Sequence, residues 1–247
     1  MTKTKEKNYI FGVRSIIEAI NAGKIIDKLF IQKGLHNDLF AELWKLVREK
    51  RINYKHVPLE KINRLTRKNH QGVFAFISPV DFHKIEDIIP QIYENGQTPL
   101  ILVLDRITDV RNFGAITRTA ECTGVHTILI PEQKSAAINA DAVKTSAGAL
   151  HRIPISRTWN LKLSLQLIKD SGIQLIGCTE KTQDLIYKSD FKKPTAIILG
   201  SEEDGISPEL LKMCDQKTKI PINGKISSLN VSVATGVICY EAVRQRN

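Results

Sequence analysis

Apolar positions recur along this chain with two periods, and the way the periods are ordered divides it into two parts. Between residues 8 and 78, helical and extended spacings alternate in short pieces. Val13, Ile16, Ile17 and Ile20 fall on one helical face, which predicts a helix over Val13–Ala22. Leu39, Phe40, Leu43, Leu46 and Val47 do the same for Leu39–Lys50. Lys28–Gln32, Asn53–Val57 and Val73–Ile77 fit strands, and Pro58–Leu65 fits a short helix. The result is a small α/β unit. The stretch 79–98 then changes character. It holds Pro79, Pro90 and the turn pair Asn95-Gly96, is net acidic, and is expected to be a linker with a bridging helix.

From Pro99 onward the pattern is regular. Leu100–Leu104, Thr127–Ile130, Gln174–Cys178 and Thr195–Leu199 are short apolar runs, followed by a short strand near Lys219–Ile222. Helical stretches separate them at 112–124, 139–149, 159–171 and 207–213, and 228–244 closes the chain. Apolar strands alternating with helices predict an α/β fold with a mainly parallel sheet covered on both faces. Ligands of such folds bind at the carboxyl ends of the strands. The expected division is a first domain over 1–80, a linker over 81–98 and a second domain over 99–247. No internal repeat or low-complexity segment interrupts it.

Composition narrows the class. The 247 residues are 42% hydrophobic and 25% charged, as in an ordinary globular protein. No window approaches the ~18 apolar residues of a membrane span. The basic start, MTKTKEKNYIFG, lacks an apolar core and a small-residue cleavage site, so it is not expected to be a secretion signal, and the cytoplasm is the expected compartment. Cys122, Cys178, Cys214 and Cys239 form no close pair and no histidine stands at metal-ligand spacing, so reduced, mostly buried thiols and no metal site are expected. Net charge is +10, from 36 lysines and arginines against 26 aspartates and glutamates. Residues 1–80 hold 16 of the cations and 7 of the anions, a surplus of +9, which leaves +1 for the rest. A basic part beside a near-neutral part fits phosphate binding by the first, although charge alone fits solubility equally well.

Three segments carry candidate chemistry, and each follows an expected strand. The first is Asp105-Arg106-Ile107-Thr108-Asp109-Val110-Arg111-Asn112-Phe113-Gly114, running into Arg118. Asn112 is the expected N-cap of its helix, Gly114 permits close backbone approach, and Arg118 lies on the same face one turn further on. That would place a guanidinium near a helix start that already favours anions, although a solvated surface arginine fits the same letters. The second is Leu199-Gly200-Ser201-Glu202-Glu203-Asp204-Gly205-Ile206-Ser207, which alone could be a loop with two turn glycines and a solvent carboxylate. The third runs from Ile220 to Tyr240 and contains Ser228-Leu229-Asn230-Val231-Ser232-Val233-Ala234. There Ser228 is expected to cap the last helix, with Asn230 in its first turn. The chain has neither a G-x-G-x-x-G fingerprint after its first α/β strand nor a P-loop.

In this order the three segments resemble the motifs of the SpoU branch of the SPOUT RNA methyltransferases. Lys144-Thr145-Ser146-Ala147-Gly148-Ala149 resembles the small-residue helix between the first two motifs. Phe11-Gly12, Ile17-Glu18-Ala19-Ile20 and Asn69-His70-Gln71-Gly72-Val73 resemble the ribosomal-protein-like RNA-binding extension of many bacterial members. One departure is Val110, where the family usually has proline. The resemblance implies a deep trefoil knot, which periodicity could never suggest. It implies S-adenosyl-L-methionine as cofactor, bound by Gly200, Ile220, Leu229, Leu199 and Thr179. It implies catalytic roles for Arg118, Asn112, Glu202, Ser228 and Asn230, with Glu202 bracing Arg118.

The implied activity is transfer of a methyl group to a ribose 2′-hydroxyl, with a guanosine of 23S ribosomal RNA as the nearest substrate. A transfer-RNA enzyme, an antibiotic-resistance relative and an RNA-binding module that has lost catalysis remain open. Implied partners are RNA and a second copy of the chain, paired through the knotted domain. The small residues Ser228, Ser232, Thr235 and Gly236 of the last helix would allow close approach of that copy, or equally packing within one subunit. Arg14, Lys33, Arg64, Arg67 and Lys68 are the candidate phosphate contacts of the first domain. Arg106, Arg111 and Arg152 are the alternative on the second.

Overall fold

The computed structural model describes residues 9–247, so the basic start of the chain, with its share of the +9 surplus, lies outside the described residues. The chain divides into two compact units. One runs to Asp81 and takes in Ala137–Ala140; the other holds Phe82–Ala136 and Asp141–Asn247.

The first unit is a four-stranded sheet, β1 (Tyr9–Phe11), β2 (Ile26–Gln32), β3 (Tyr54–Val57) and β4 (Val73–Ile77), in the order β1-β4-β2-β3. Only β4 runs against the others, so β1, β2 and β3 end at the same edge. Helices α1 (Val13–Asn21) and α2 (Asp38–Glu49) cover one face through Val13, Ile16, Ile17, Ile20, Phe40, Leu43 and Val47. The short α3 (Leu59–Leu65) seals the other with Ile62 against Phe30, Val57 and Phe74. Apart from β1, which is not expected, these elements lie within two residues of their expected bounds, because each amphipathic stripe is complete in the sequence.

The second unit is a seven-stranded sheet with every pairing parallel, in the order β11-β9-β10-β6-β7-β8-β5. Its strands are β5 (Phe82–His83), β6 (Leu100–Leu104), β7 (Thr127–Pro131), β8 (Ile155–Thr158), β9 (Gln174–Cys178), β10 (Thr195–Leu199) and β11 (Gln216–Thr218). The helices are α4 (Ile85–Glu94), α5 (Val110–Cys122), α6 (Ala140–Thr145), α7 (Leu161–Asp170), α8 (Pro208–Met213) and α9 (Val231–Arg246). All five residues of β6 and of β10 are buried, as strands covered on both faces require.

Three expectations need correction. The segment 81–98 is not a linker: β5 joins the edge of the large sheet, and Ile85 and Ile89 of α4 enter the same core as Leu161 and Leu165. Pro90 is tolerated inside α4 because it faces solvent, while Ile85, Ile88, Ile89 and Ile92 form the buried stripe. The helix expected over 139–149 stops at Thr145, where Ala147 and Gly148 turn left-handed and the Gly148 N–H bonds back to the Val143 carbonyl. The last strand lies at Gln216–Thr218, earlier than Lys219–Ile222.

Candidate active site

From β6 the chain proceeds to β7 and β8 on one side, whereas β9, β10 and β11 lie on the other. The neighbours β6 and β10 therefore form the switch point of the sheet, where a crevice opens at the strand ends. Leu104 and Leu199 are paired there, and the Asp105 N–H bonds to the Leu199 carbonyl at 2.8 Å. The first two motifs leave the sheet side by side. The buried carboxylate of Asp105 accepts the Ser207 N–H at 2.7 Å. Arg106, in a left-handed conformation at φ 61°, donates to Asp204 at 2.8 Å and to the Gly205 carbonyl at 2.9 Å, and also contacts Asp105. Burial opposes its charge, but the hydrogen bonds and charges of Asp105 and Asp204 outweigh this and raise its pKa. Arg106 thus ties the second motif to the first. Its guanidinium is paired with two carboxylates, which compete for it with the expected phosphate.

Asp109, not Asn112, caps α5: its Oδ1 accepts the Asn112 N–H at 2.8 Å. Val110 takes the first helical position, where proline's missing N–H would cost nothing, so the substitution removes only a preset φ. The side chain of Asn112 is left free to point elsewhere. Its Nδ2 donates to Glu202 Oε1 at 2.7 Å. Asn230 Nδ2 donates to the same oxygen at 2.8 Å and to Asn112 Oδ1 at 3.1 Å. Asn230, not Ser228, caps α9, with its Oδ1 accepting from the N–H of Ser232 at 3.0 Å. A backbone N–H can only donate, so Asn230 must turn its NH2 toward Glu202. One residue from each motif thereby closes a ring of hydrogen bonds.

Arg118 is not in that ring. It stands exposed on α5, and among the described residues no ion pair joins it to Glu202. Six residues beyond Asn112, it lies about 9 Å further along the axis and about 240° around it, so the two side chains leave the helix in different directions. Gly114 serves packing: a Cβ there would meet Thr145 Cβ at 2.7 Å and the Ala142 carbonyl at 3.0 Å, both in α6.

Beside the ring lies a cleft of about 450 Å³, a size suited to a nucleoside-sized ligand. Leu199, Gly200, Thr179, Ile220 and Leu229 all line it, together with Glu202, Ser228 and Asn230. Asn112 and Arg118 do not. Sequence reasoning missed Glu180, Ser201, Glu203 and Lys219, which also line it. Glu180 follows β9 as Asp105 follows β6, and the strand-end rule could have found it. Cys178 reaches the cleft too, but burial, with Glu180 adding to it, pushes its thiol up to about 12, so it stays protonated. Cys214 is half-buried and Cys239 is buried, whereas Cys122 is exposed, against expectation.

A second pocket, about 260 Å³, adjoins the ring from the side of the first motif. Thr108, Asp109, Asn112, Lys134 and Glu202 are among its lining residues. Glu202 therefore borders both spaces.

In the first unit, Arg14, Lys33, Arg64, Arg67 and Lys68 are all exposed. Arg14 follows β1, Lys33 follows β2, and the other three lie between β3 and β4, so the topology gathers them at the edge where β1, β2 and β3 end. His70 pins their loop: its Nδ1 accepts the Gly72 N–H at 3.0 Å and its Nε2 bonds Asn63 Oδ1 at 2.8 Å. On the second unit Arg111 is exposed, and Arg152 lies 3.7 Å from Glu121. Among the described residues, no group of three or more His, Cys, Asp or Glu is placed to hold a metal ion, and no helix is long and apolar enough to cross a membrane.

Two family models match the chain. The SpoU rRNA methylase family matches residues 99–240, and the model for RNA 2′-O ribose methyltransferase substrate binding matches residues 9–83. A Bacillus subtilis protein assigned to the TrmH family of tRNA/rRNA methyltransferases, YacO, is 30% identical over 244 residues, 99% of this chain and 98% of that one. The AdoMet-bound rRNA methyltransferase of Sinorhizobium meliloti is 25% identical, with a TM-score of 0.62 over 96% of this chain and 86% of that one. The TrmH/SpoU tRNA modifying enzyme of A. aeolicus is 34% identical, with a TM-score of 0.56 over 65% of this chain and 83% of that one.

Proposed function

The chain belongs to the SpoU rRNA methylase family of RNA methyltransferases, and from that premise we propose that it methylates a ribose 2′-hydroxyl of RNA, at a guanosine of 23S ribosomal RNA, using S-adenosylmethionine. The observation that carries this reading is the cleft beyond the ends of β9, β10 and β11, bordered by a polar ring drawn from all three motifs.

The cleft suits the cofactor. Leu199, Ile220, Ile222, Leu229, Val231 and Ala234 give it apolar walls for an adenosine. Glu180, Glu202 and Glu203 outnumber its one cation, Lys219, whose Nζ is held by Gln183 at 2.8 Å. An acidic, partly apolar cleft favours a sulfonium cation over a phosphate. When bound, the cofactor supplies an electrophilic methyl group. The chain's own task is then to align the acceptor hydroxyl with that methyl and to remove its proton. Alignment alone is worth about 7–11 kcal/mol in favourable cases. Asn112, Ser228 and Asn230 orient the hydroxyl, and Arg118, exposed and permanently charged, takes the neighbouring RNA phosphate.

Ribosomal RNA from a strain lacking the gene, incubated with the protein and S-adenosylmethionine, should gain one 2′-O-methylguanosine in the 23S molecule by mass mapping. A methyl group on a base would overturn the ribose reading. Acceptance by transfer RNA alone would move the substrate.

We also propose a homodimer through the second unit. Of the small residues in α9, Thr235 is buried, with its hydroxyl on the Val231 carbonyl, so that part of the stripe is spent within one subunit. Val233, Val237 and Tyr240 form the outward stripe, 51%, 37% and 58% exposed, and a Cβ on Gly236 between them would meet nothing. Light scattering at micromolar concentration should give about twice the 27.8 kDa of one chain, and Tyr240→Glu should halve it. A wild-type mass of one chain would reject the dimer.

A further inference from the structure

We propose that Glu202 is the proton acceptor for the hydroxyl that is methylated. This rests on the ribose reading above and gives Glu202 a role other than bracing Arg118.

Three observations converge on this carboxylate. Glu202 borders both the cofactor cleft and the second pocket, so it stands where methyl donor and methyl acceptor must meet. Its two oxygens are unequal. Oε1 accepts two amide donors, Asn112 Nδ2 at 2.7 Å and Asn230 Nδ2 at 2.8 Å, whereas among the described residues no hydrogen bond engages Oε2. The amides thus aim the carboxylate and leave one oxygen with its lone pairs available. The remaining polar groups of the ring cannot take a proton: both are amides. Arg118 is already protonated and lies outside the cleft lining. Glu180 also lines the cleft, and Glu203 borders both spaces as Glu202 does, but no amide pair orients either one.

The step balances on residues and reactants already named. The O2′–H bond breaks and its proton passes to Glu202 Oε2. The O2′–methyl bond forms, and the methyl carbon–sulfur bond breaks with its electron pair on the sulfur. Glu202 is exposed, so the new carboxylic acid can return its proton to solvent after the product leaves. A positioned base of this kind contributes about 10²–10⁴-fold.

The test is Glu202→Gln in the full-length protein. Glutamine keeps an oxygen for the two amide donors, which admit no other orientation, and replaces only the free Oε2 by an NH2. Single-turnover methylation of ribosomal RNA should fall about 10²–10⁴-fold. Calorimetric affinity for S-adenosylmethionine should fall far less than the rate, because Glu180 and Glu203 still line the cleft, and the thermal midpoint should match wild type, because the ring survives. Glu202→Asp, which keeps a carboxylate but withdraws it, should recover part of the rate. Methylation by Glu202→Gln within about threefold of wild type overturns the proposal. So does a rate loss matched by lost cofactor affinity and stability, which would make Glu202 a positioning residue only. The ribose reading fails separately: the wild-type product would then not resist alkaline cleavage at the methylated linkage.

Discussion

Replacing Gly200 by alanine should lower S-adenosylmethionine affinity at least 100-fold and reduce the thermal midpoint, although the added methyl group is small. The family resemblance puts Gly200 among the residues that bind the cofactor, which implies that a side chain here would fill space meant for the ligand. The structure gives a different cause. A Cβ on Gly200 would stand 2.0 Å from the Gly205 carbonyl carbon, 2.1 Å from Ile206 N and 2.2 Å from the Gly205 oxygen. All three are backbone atoms, so no rotamer change relieves the overlap. The loop must move, and its closures would go with it: the Gly205 N–H on the Ser201 carbonyl at 2.9 Å, the Arg106 guanidinium on the Gly205 carbonyl at 2.9 Å, and the Ser207 N–H on Asp105 at 2.7 Å. Losing two or three such bonds, one of them on a buried carboxylate, costs about 3 kcal/mol. Ser201, Glu202 and Glu203 ride on the same loop, so the cleft and the ring would be displaced together. Gly224→Ala is the control, since a Cβ there meets nothing within 4 Å. Isothermal calorimetry and a melting curve decide the matter. A Gly200→Ala protein that binds S-adenosylmethionine like wild type would show that the loop is not packed as described.

What could be read from the residues follows from how each element is buried. Leu100–Leu104 and Thr195–Leu199 are legible because both faces are covered, so every position is apolar. Ile155–Thr158 and Phe82–His83 pass unseen because strands of four and two residues at or beside a sheet edge carry no such run. A helix is expected in the stretch that holds α4, but its prolines and turn pair make it read as a bridge and not as part of the second unit's core. The caps fail for a subtler reason. Asp109 and Asn112 are both good capping residues three apart, as Ser228 and Asn230 are two apart, and residue type does not choose between them. That choice matters. With Asp109 as the cap, Asn112 is released to meet Glu202, 90 positions away in the chain, and Asn230 reaches the same oxygen from the opposite direction. Residue types could name the members of the ring, but its partners depend on where α5 and α9 begin. That is also why Glu202 was paired with Arg118: both were recognised, and nothing in their spacing shows that Arg118 points elsewhere.

Changing Arg14, Lys33, Arg64, Arg67 and Lys68 together to glutamine should weaken RNA binding more than any single change outside the cleft. The surplus of +9 in residues 1–80 says how much charge is there, and the topology says where five of its members gather: at the edge where β1, β2 and β3 end. All five are exposed, so the substitution should leave the fold intact. Each lost phosphate contact lowers the salt slope of binding by about 0.7–0.9, so five remove about 4. If counterion release contributes nothing at 1 M salt, that slope corresponds to roughly 10⁴-fold in affinity at 0.1 M. S-adenosylmethionine affinity should not change, because every residue lining the cleft lies between Cys178 and Ala234. The full chain is the right material. A fragment beginning at residue 98 would lack β5 and α4, which belong to the second unit's sheet and core. The competing grip uses the second unit, but Arg106 is already held by Asp105 and Asp204, leaving Arg111 and Arg152 to supply it. Binding of the fivefold variant measured across a salt series separates the two. Wild-type affinity with an undiminished slope would transfer the grip to the second unit, and a double change at Arg111 and Arg152 should then produce the loss instead.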